Sequence, residues 1–339
     1  MFFYIYAAML SIRFLRNVPG WITWTLKFAI AALAIRFILQ KVFTHESIDD
    51  LEAALKSLTG EKGRILLYAV LLLMLVNIFT EVLKWKLIMR PLERISTLQS
   101  FMAVLTGTAV SFFGPYRSGE FVGRILYLSA VDKIKASIIT VLASMGLLVI
   151  TISAGSLCLA FYLRDSFSSA LFYYPLVAIL FLVSGGLIFL FIYFPYLGSR
   201  FASLKILSKF SDYISVLNLY RPYHFAQALA LSLLRYLVFV HQYYLLQKIF
   251  FPATPYVETL QMISIIYLTL AVIPTFVLIE IGVRSYVASY YLRSIISNPV
   301  SIALAPFAIW IINVVIPALV GWIFFLSVKI KNGKTTSLQ

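Results

Sequence analysis

The chain has 339 residues, 62% of them hydrophobic and only 12% charged, with a mean hydropathy of +0.95 and a net charge of +15. A soluble domain averages about 25% charged residues, so a soluble enzyme or regulatory fold is excluded. Nucleic acid is not the partner that the positive charge implies, because the basic residues fall in loops between apolar runs, as in membrane proteins.

In chain order, residues 1–19 read as an N-terminal interfacial segment. Its first ten residues are apolar, but no basic residue precedes them and Arg13 and Arg16 follow, which is not a signal-peptide pattern. Apolar runs near the roughly 20 residues that a membrane helix needs lie at 20–40, 64–83, 136–162, 171–195, 225–247 and 302–328. Two further apolar pairs, 97–113 with 117–131 and 258–279 with 281–296, read as re-entrant hairpins or short paired helices. Between the first two runs, Ser47 and Asp50 have capping-box spacing. Ile48, Leu51, Leu55 and Leu58 then line one face, predicting a short amphipathic helix at the outer surface over 44–58.

One set of loops holds fifteen Lys and Arg residues and the opposite set holds seven. The basic side is cytoplasmic by the positive-inside rule, which puts both termini inside. The first half then runs in-to-out, out-to-in, a hairpin entered from the cytoplasm, and in-to-out. The second half has the same order in the opposite sense. The predicted fold is therefore an all-α polytopic membrane protein. It has six full spans plus two re-entrant or short paired helices, arranged as an inverted-topology repeat. Its parts are the interfacial segment, repeat 1 over 20–165, repeat 2 over 166–328 and a cytoplasmic tail over 329–339.

A short charged motif occurs in both hairpins, 160 positions apart. The first copy runs from Pro115 through Arg117, Gly119, Glu120 and Gly123 to Arg124. The second runs from Pro274 through Glu280 and Gly282 to Arg284. Each charge at membrane depth costs about 2.5–3.5 kcal/mol on insertion scales, so such residues serve either a site or an intrahelical pair that neutralises itself. Interrupted hydrophobic segments at matching places of two halves point to a transporter's binding site. Pro115 and Pro274 break the helices, and Gly119, Gly123 and Gly282 let backbones approach or turn. Arg117, Arg124 and Arg284 offer guanidinium forks to a phosphate. Glu120 and Glu280 lie one helical turn before an arginine and would position it, exchange partners or take a proton.

The neighbouring spans add Asn77, Glu81 and Lys84 as one stripe, and Arg235 with Gln242 as another, seven residues apart on one face. Lys84 and Trp85 read as interface anchors, and His241 as a hydrogen-bonded packing residue. Ala103, Gly107 and Ser111 form a small-residue row that permits close helix packing. The single cysteine, Cys158, allows no internal disulfide or thiolate metal site, and His45, His224 and His241 lack ligand spacing, so no metal and no cofactor are expected. No hydrolase, metalloprotease or nucleotide-binding motif occurs, and no enzyme activity is expected.

Trp85 followed by Phe113-Gly114-Pro115-Tyr116-Arg117-Ser118-Gly119-Glu120-Phe121-Val122-Gly123-Arg124 resembles the membrane domain of lysylphosphatidylglycerol synthases, which also stands alone in flippase-like proteins. Arg235 with Gln242-Tyr243-Tyr244-Leu245-Leu246, and the segment from Ile273-Pro274 to Gly282-Val283-Arg284, are similar to its later motifs. The resemblance spans about residues 20 to 330. The second motif departs from the family pattern, since Glu280 precedes Arg284 and Ser285 follows it, where the family places glutamate after the arginine. The synthases also carry a soluble transferase domain after the membrane part, whereas this chain ends eleven residues after its last span. The resemblance thus implies no aminoacyl transfer. It implies a translocase moving a phosphate-bearing lipid between leaflets of the cytoplasmic membrane, with substrate-binding residues Arg117, Glu120, Arg124, Arg235, Gln242, Glu280 and Arg284. Two other readings fit the same residues: a secondary transporter of a soluble anion, and a non-transporting partner of a membrane-associated, lipid-modifying transferase. The sequence sets no oligomeric state.

Overall fold

The long apolar runs become helices because a backbone without water must satisfy its own hydrogen bonds, and a helix does so within one segment. The computed structural model describes residues 52, 56–111, 119–129, 131–166, 170–201, 214–273 and 277–327. The expected span at 20–40, the motif residues Pro115, Arg117 and Pro274, and the tail lie outside them, as does most of the expected helix at 44–58. Of that helix, Glu52 and residues 56–58 are described and helical, with Lys56 Nζ 2.7 Å from Glu52 Oε1. The described residues contain helices and no strands.

In chain order the helices are α1 (Glu61–Met89), α2 (Thr97–Ser111), α3 (Gly119–Ile125), α4 (Lys133–Tyr162), α5 (Ala170–Phe201), α6 (Pro222–Phe250), α7 (Tyr256–Val272), α8 (Val277–Leu292), α9 (Pro299–Trp310) and α10 (Ile316–Ser327). A π-helical turn, Ile311–Val315, joins the last two into one long element. Five elements are long and apolar enough to cross a membrane: α1, α4, α5, α6 and the α9–α10 unit. They fall where the sequence places its spans from residue 64 onward. The remaining helices, of 15, 7, 17 and 16 residues, are shorter than the roughly 20 residues a crossing takes.

Local chemistry sets several boundaries. Ser96 and Gln99 cap α2 reciprocally: Gln99 N donates to Ser96 Oγ at 3.1 Å and Ser96 N to Gln99 Oε1 at 3.0 Å. Asp132 accepts from Ile134 N at the start of α4, and Asn298 from Ser301 N at the start of α9. Pro222 and Pro299 each occupy a first-turn position, where a missing N–H costs nothing.

The two short helices of the first half form an antiparallel hairpin held backbone to backbone. A Cβ at Gly123 would sit 2.7 Å from Gly107 Cα, and one at Gly119 would sit 2.2 Å from the Val110 carbonyl oxygen. Gly321 brings α10 equally close to α2, where a Cβ would lie 2.0 Å from the Leu105 carbonyl oxygen. Small residues are the usual means of close packing in lipid, where no hydrophobic effect drives helices together. Gly123→Ala should therefore force the hairpin apart and destabilise the protein by about 1–3 kcal/mol. A lowered thermal midpoint in detergent would confirm it, and an unchanged midpoint would refute it.

The core lies between α1, α4, α6, α7 and α9, where Trp85, Ile139, Phe225, Leu246, Ile263 and Ala305 are fully buried. By contrast α5 is peripheral, with Leu171, Phe172, Leu182 and Phe189 exposed as expected of a lipid-facing helix. Tyr220, just before α6, donates to the Ile88 carbonyl at 2.7 Å and so ties the start of α6 to the end of α1. Burial pushes its phenol above the ordinary tyrosine range. The stability this bond contributes is present below about pH 10, the unfolded phenol's pKa, and is lost as the pH climbs above that value. Tyr220→Phe should cost about 1 kcal/mol at neutral pH and flatten that alkaline loss in pH-dependent melting.

Candidate functional site

Glu81 lies on α1, two turns before its end, and is 2% exposed. An isolated buried carboxylate is prohibitively costly, so its partners decide the local structure. Three cations surround it. Lys84 Nζ, one turn on, lies 2.7 Å from Oε2, although not in good hydrogen-bonding direction. Arg124 of α3 donates to Oε1 at 2.8 Å, and Arg235 of α6 donates to Oε2. Arg124 is itself buried and also donates to Glu120, one turn earlier on α3. Three positive and two negative groups thus share one cluster.

The network continues through neutral amides. Arg235 Nε donates to Asn77 Oδ1 at 2.7 Å, and Asn77 Nδ2 donates to Asn313 Oδ1 at 3.1 Å. Asn313 Nδ2 donates to Gln242 Oε1 at 2.8 Å, and Gln242 Nε2 to the Val70 carbonyl at 3.0 Å. Asn313 sits in the π-helical turn, a feature that recurs at functional sites because it redirects one side chain out of helical register. The chain of bonds fixes α1, α3, α6 and the π turn relative to one another. Two of its members reach outward: the Arg235 side chain is 21% exposed and that of Glu120 is 28% exposed.

Of the residues singled out in the sequence, Glu120, Arg124, Arg235 and Gln242 meet in this network. Gly119 and Gly123 lie in α3, beside it, and serve the close approach to α2. Glu280 lies on α8 with its side chain outside the described residues, as Pro115, Arg117 and Pro274 are altogether. Arg284 lies on α8 and interacts electrostatically with Tyr243 of α6 and Tyr267 of α7. Gly282 does not serve a close approach among the described residues, since a Cβ there would meet nothing within 4 Å.

Lys84 and Trp85 are not interface anchors. They are 1% exposed, Lys84 in the ion cluster and Trp85 with its indole N–H 3.4 Å from Thr140 Oγ1. Glu81, one turn earlier, holds the lysine in the cluster, which is buried because Arg124 and Arg235 reach the same carboxylate from other helices. His241 Nδ1 donates to the Leu237 carbonyl at 2.8 Å and its Nε2 lies 2.9 Å from the Tyr256 hydroxyl, so His241 is a hydrogen-bonded packing residue. Glu81, Asn77 and Asn313 were not expected as site residues. The visible signal was the stripe of Asn77 and Glu81 on an apolar span; Asn313 carried none. Among the described residues no group of three His, Cys, Asp or Glu side chains could hold a metal.

The fold and this network define a multi-pass helical membrane protein with a charged, hydrogen-bonded interior. The family model of the lysylphosphatidylglycerol synthase TM region matches residues 24–326, and the chain belongs to that family. No curated protein matches, and no solved structure matches.

Proposed function

We propose that the protein is a lipid translocase, moving a phosphate-bearing lipid between the leaflets of the cytoplasmic membrane, with both termini on the cytoplasmic side. The observation that carries this reading is the buried ion cluster of Glu81, Lys84, Arg124, Arg235 and Glu120, formed where the short helix α3 meets the membrane-spanning helices α1 and α6. It has one more cation than anion, and Arg235 opens outward. An arriving phosphate would take the place that Glu81 Oε2 holds on the Arg235 guanidinium, since the fork suits either oxyanion. Membership of a family named for lipid synthesis supports a lipid as the substrate.

The two halves act as inverted repeats, 20–165 and 166–328, with α2–α3 and α7–α8 as re-entrant hairpins. The packing supports this. Helix α1 lies against α6, while α2 packs on α10 and α7 packs on α4, so each hairpin rests on the last span of the other half. Glu81 and Gln242 are each the twenty-first residue of a 29-residue helix, α1 and α6 respectively. Alternating access would then be a rocking of one repeat on the other about the α1–α6 contact. The protein performs no covalent chemistry in this reading. A membrane-associated transferase that makes the lipid is the partner it would serve.

The test is movement of fluorescent phosphatidylglycerol across proteoliposomes, measured by quenching of the outer-leaflet dye. Transfer above that of protein-free vesicles supports the reading. Transfer equal to the vesicle background, with the protein folded, overturns it.

A further inference from the structure

The end of α1 and the start of α6 meet at one end of the bundle, on the side that the proposed orientation places in the cytoplasm. The buried Tyr220 fastens them there through its bond to the Ile88 carbonyl. Arg90 comes two residues after Ile88, as the C-cap of α1, and Arg221 directly follows Tyr220. One hydrogen bond therefore brings two exposed arginines to the same place. His224, half-buried in the first turn of α6, is the third member of the group. Its Nδ1 accepts from Arg221 N at 3.0 Å, so a neutral ring carries its proton on Nε2, which has no hydrogen-bond partner among the described residues. The ring packs against Tyr223 and Tyr220, with centroids 3.9 Å and 5.6 Å away. Both arginines interact electrostatically with it.

Among the described residues no carboxylate answers these charges. Neither Arg90 nor Arg221 makes an ion pair there. Glu93, three residues past Arg90, accepts from Ser129 N at 3.2 Å and from its hydroxyl at 3.0 Å, and Asp132 caps α4. The first turn of α6 holds no acid, so the Arg221 charge also opposes the helix dipole. The positive-inside rule asks only that cations lie on this side, and charges spread along the loops satisfy it. It does not ask that two guanidinium groups and an imidazole be held together against their own repulsion. All three are donors, and the arginine fork suits phosphate oxygens. They also stand at a helix end, at the level of the lipid headgroups, where the cytoplasmic leaflet carries negative charge. We infer that Arg90, Arg221 and His224 form a rim site that docks the phosphate of an anionic phospholipid from the cytoplasmic leaflet. The site is separate from the cluster around Glu81, since Arg90 lies nine residues further on, about 14 Å along the helix axis. The inference rests on the proposed orientation. It rests on the translocase reading only for the next step, in which the headgroup would pass from this rim to Arg235.

The experiment compares wild type with Arg90→Gln/Arg221→Gln and with Arg235→Ala, in detergent. Short-chain phosphatidylglycerol, short-chain phosphatidylcholine and inorganic phosphate are titrated separately, with the thermal midpoint followed in each. Without ligand the double variant should melt at or above the wild-type midpoint, because it loses no ion pair and relieves a repulsion. Its affinity for phosphatidylglycerol should fall at least about tenfold, a loss of about 1.4 kcal/mol. Wild type should prefer phosphatidylglycerol to phosphatidylcholine, and about 1 M salt, where the Debye length is about 3 Å, should remove that preference. Arg235→Ala should keep the salt-sensitive binding, as a separate site requires. A lowered midpoint of the double variant without ligand would make the arginines structural and overturn the proposal. Unchanged affinity of the double variant for phosphatidylglycerol would overturn it too. Equal binding of phosphatidylcholine would also overturn it and leave the surface to an acidic protein segment. Inorganic phosphate binding as tightly as phosphatidylglycerol would overturn the lipid assignment in favour of a soluble anion. If the rim binds phosphatidylglycerol through these arginines yet no lipid moves in vesicles, the translocase reading fails and this site stands. If lipid moves and the double variant binds phosphatidylglycerol as wild type does, this site fails and the translocase reading stands.

Discussion

Glu81→Gln is expected to be among the most damaging single substitutions in the chain, destabilising it by about 3–5 kcal/mol. The change removes only a charge, and its cost comes from what remains. Lys84 and Arg124 are buried to within 2% exposure, and Arg235 is largely so. With the Glu81 carboxylate neutralised, three cations face one another, and Glu120, which accepts from Arg124, is the one carboxylate left in the cluster among the described residues. Repulsion at that depth is poorly screened by salt. The check is the thermal midpoint in detergent together with the yield of monodisperse protein. A second substitution makes the cause specific: Lys84→Met should recover part of the loss in the Glu81→Gln background, because it removes one unpaired cation while keeping volume. The same change alone should be destabilising, since it takes a partner from Glu81. A double-mutant cycle showing simple additivity would contradict the coupling.

Arg235→Ala is expected to separate stability from transport. Glu81 keeps Lys84 and Arg124, so the carboxylate stays neutralised, and the side chain lost is the cluster's outermost cation. The stability cost should be about 1–3 kcal/mol, mostly from the bonds to Asn77 and Glu81. Lipid movement in vesicles should fall at least about tenfold, equivalent to about 1.4 kcal/mol on the barrier. Arg235→Lys should not restore it, because an ammonium cannot span Asn77 Oδ1 and Glu81 Oε2 with two fixed donors. Full transport in the alanine variant would remove Arg235 from the headgroup's path. Loss of transport accompanied by unfolding would reduce it to a structural tie.

Much of this protein could be read from the chain alone, and for definite reasons. Membrane class, the five described spans and the two groups of shorter helices follow from apolar run length, which is a one-dimensional property. The pairing of Glu120 with Arg124 follows from helical pitch, and the shared face of Arg235 and Gln242 from a spacing of two turns. The capping of α2 by Ser96 and Gln99 is likewise a matter of neighbours in sequence.

What the tertiary structure alone decided is the centre of the cluster. Glu81 has two partners far away in sequence, Arg124 by 43 residues and Arg235 by 154, and Asn77 meets Asn313 across 236. No local period carries such pairings. They exist because α1 packs along α6 and because the glycines of α2 and α3 let Arg124 reach inward. The same contacts made Lys84 a core residue, although its place near a helix end resembles that of an interfacial anchor. A charge in an apolar span announces from sequence that it needs a partner. Which partner it takes is set by helix packing, because at membrane depth the cost of an unpaired charge exceeds any local preference.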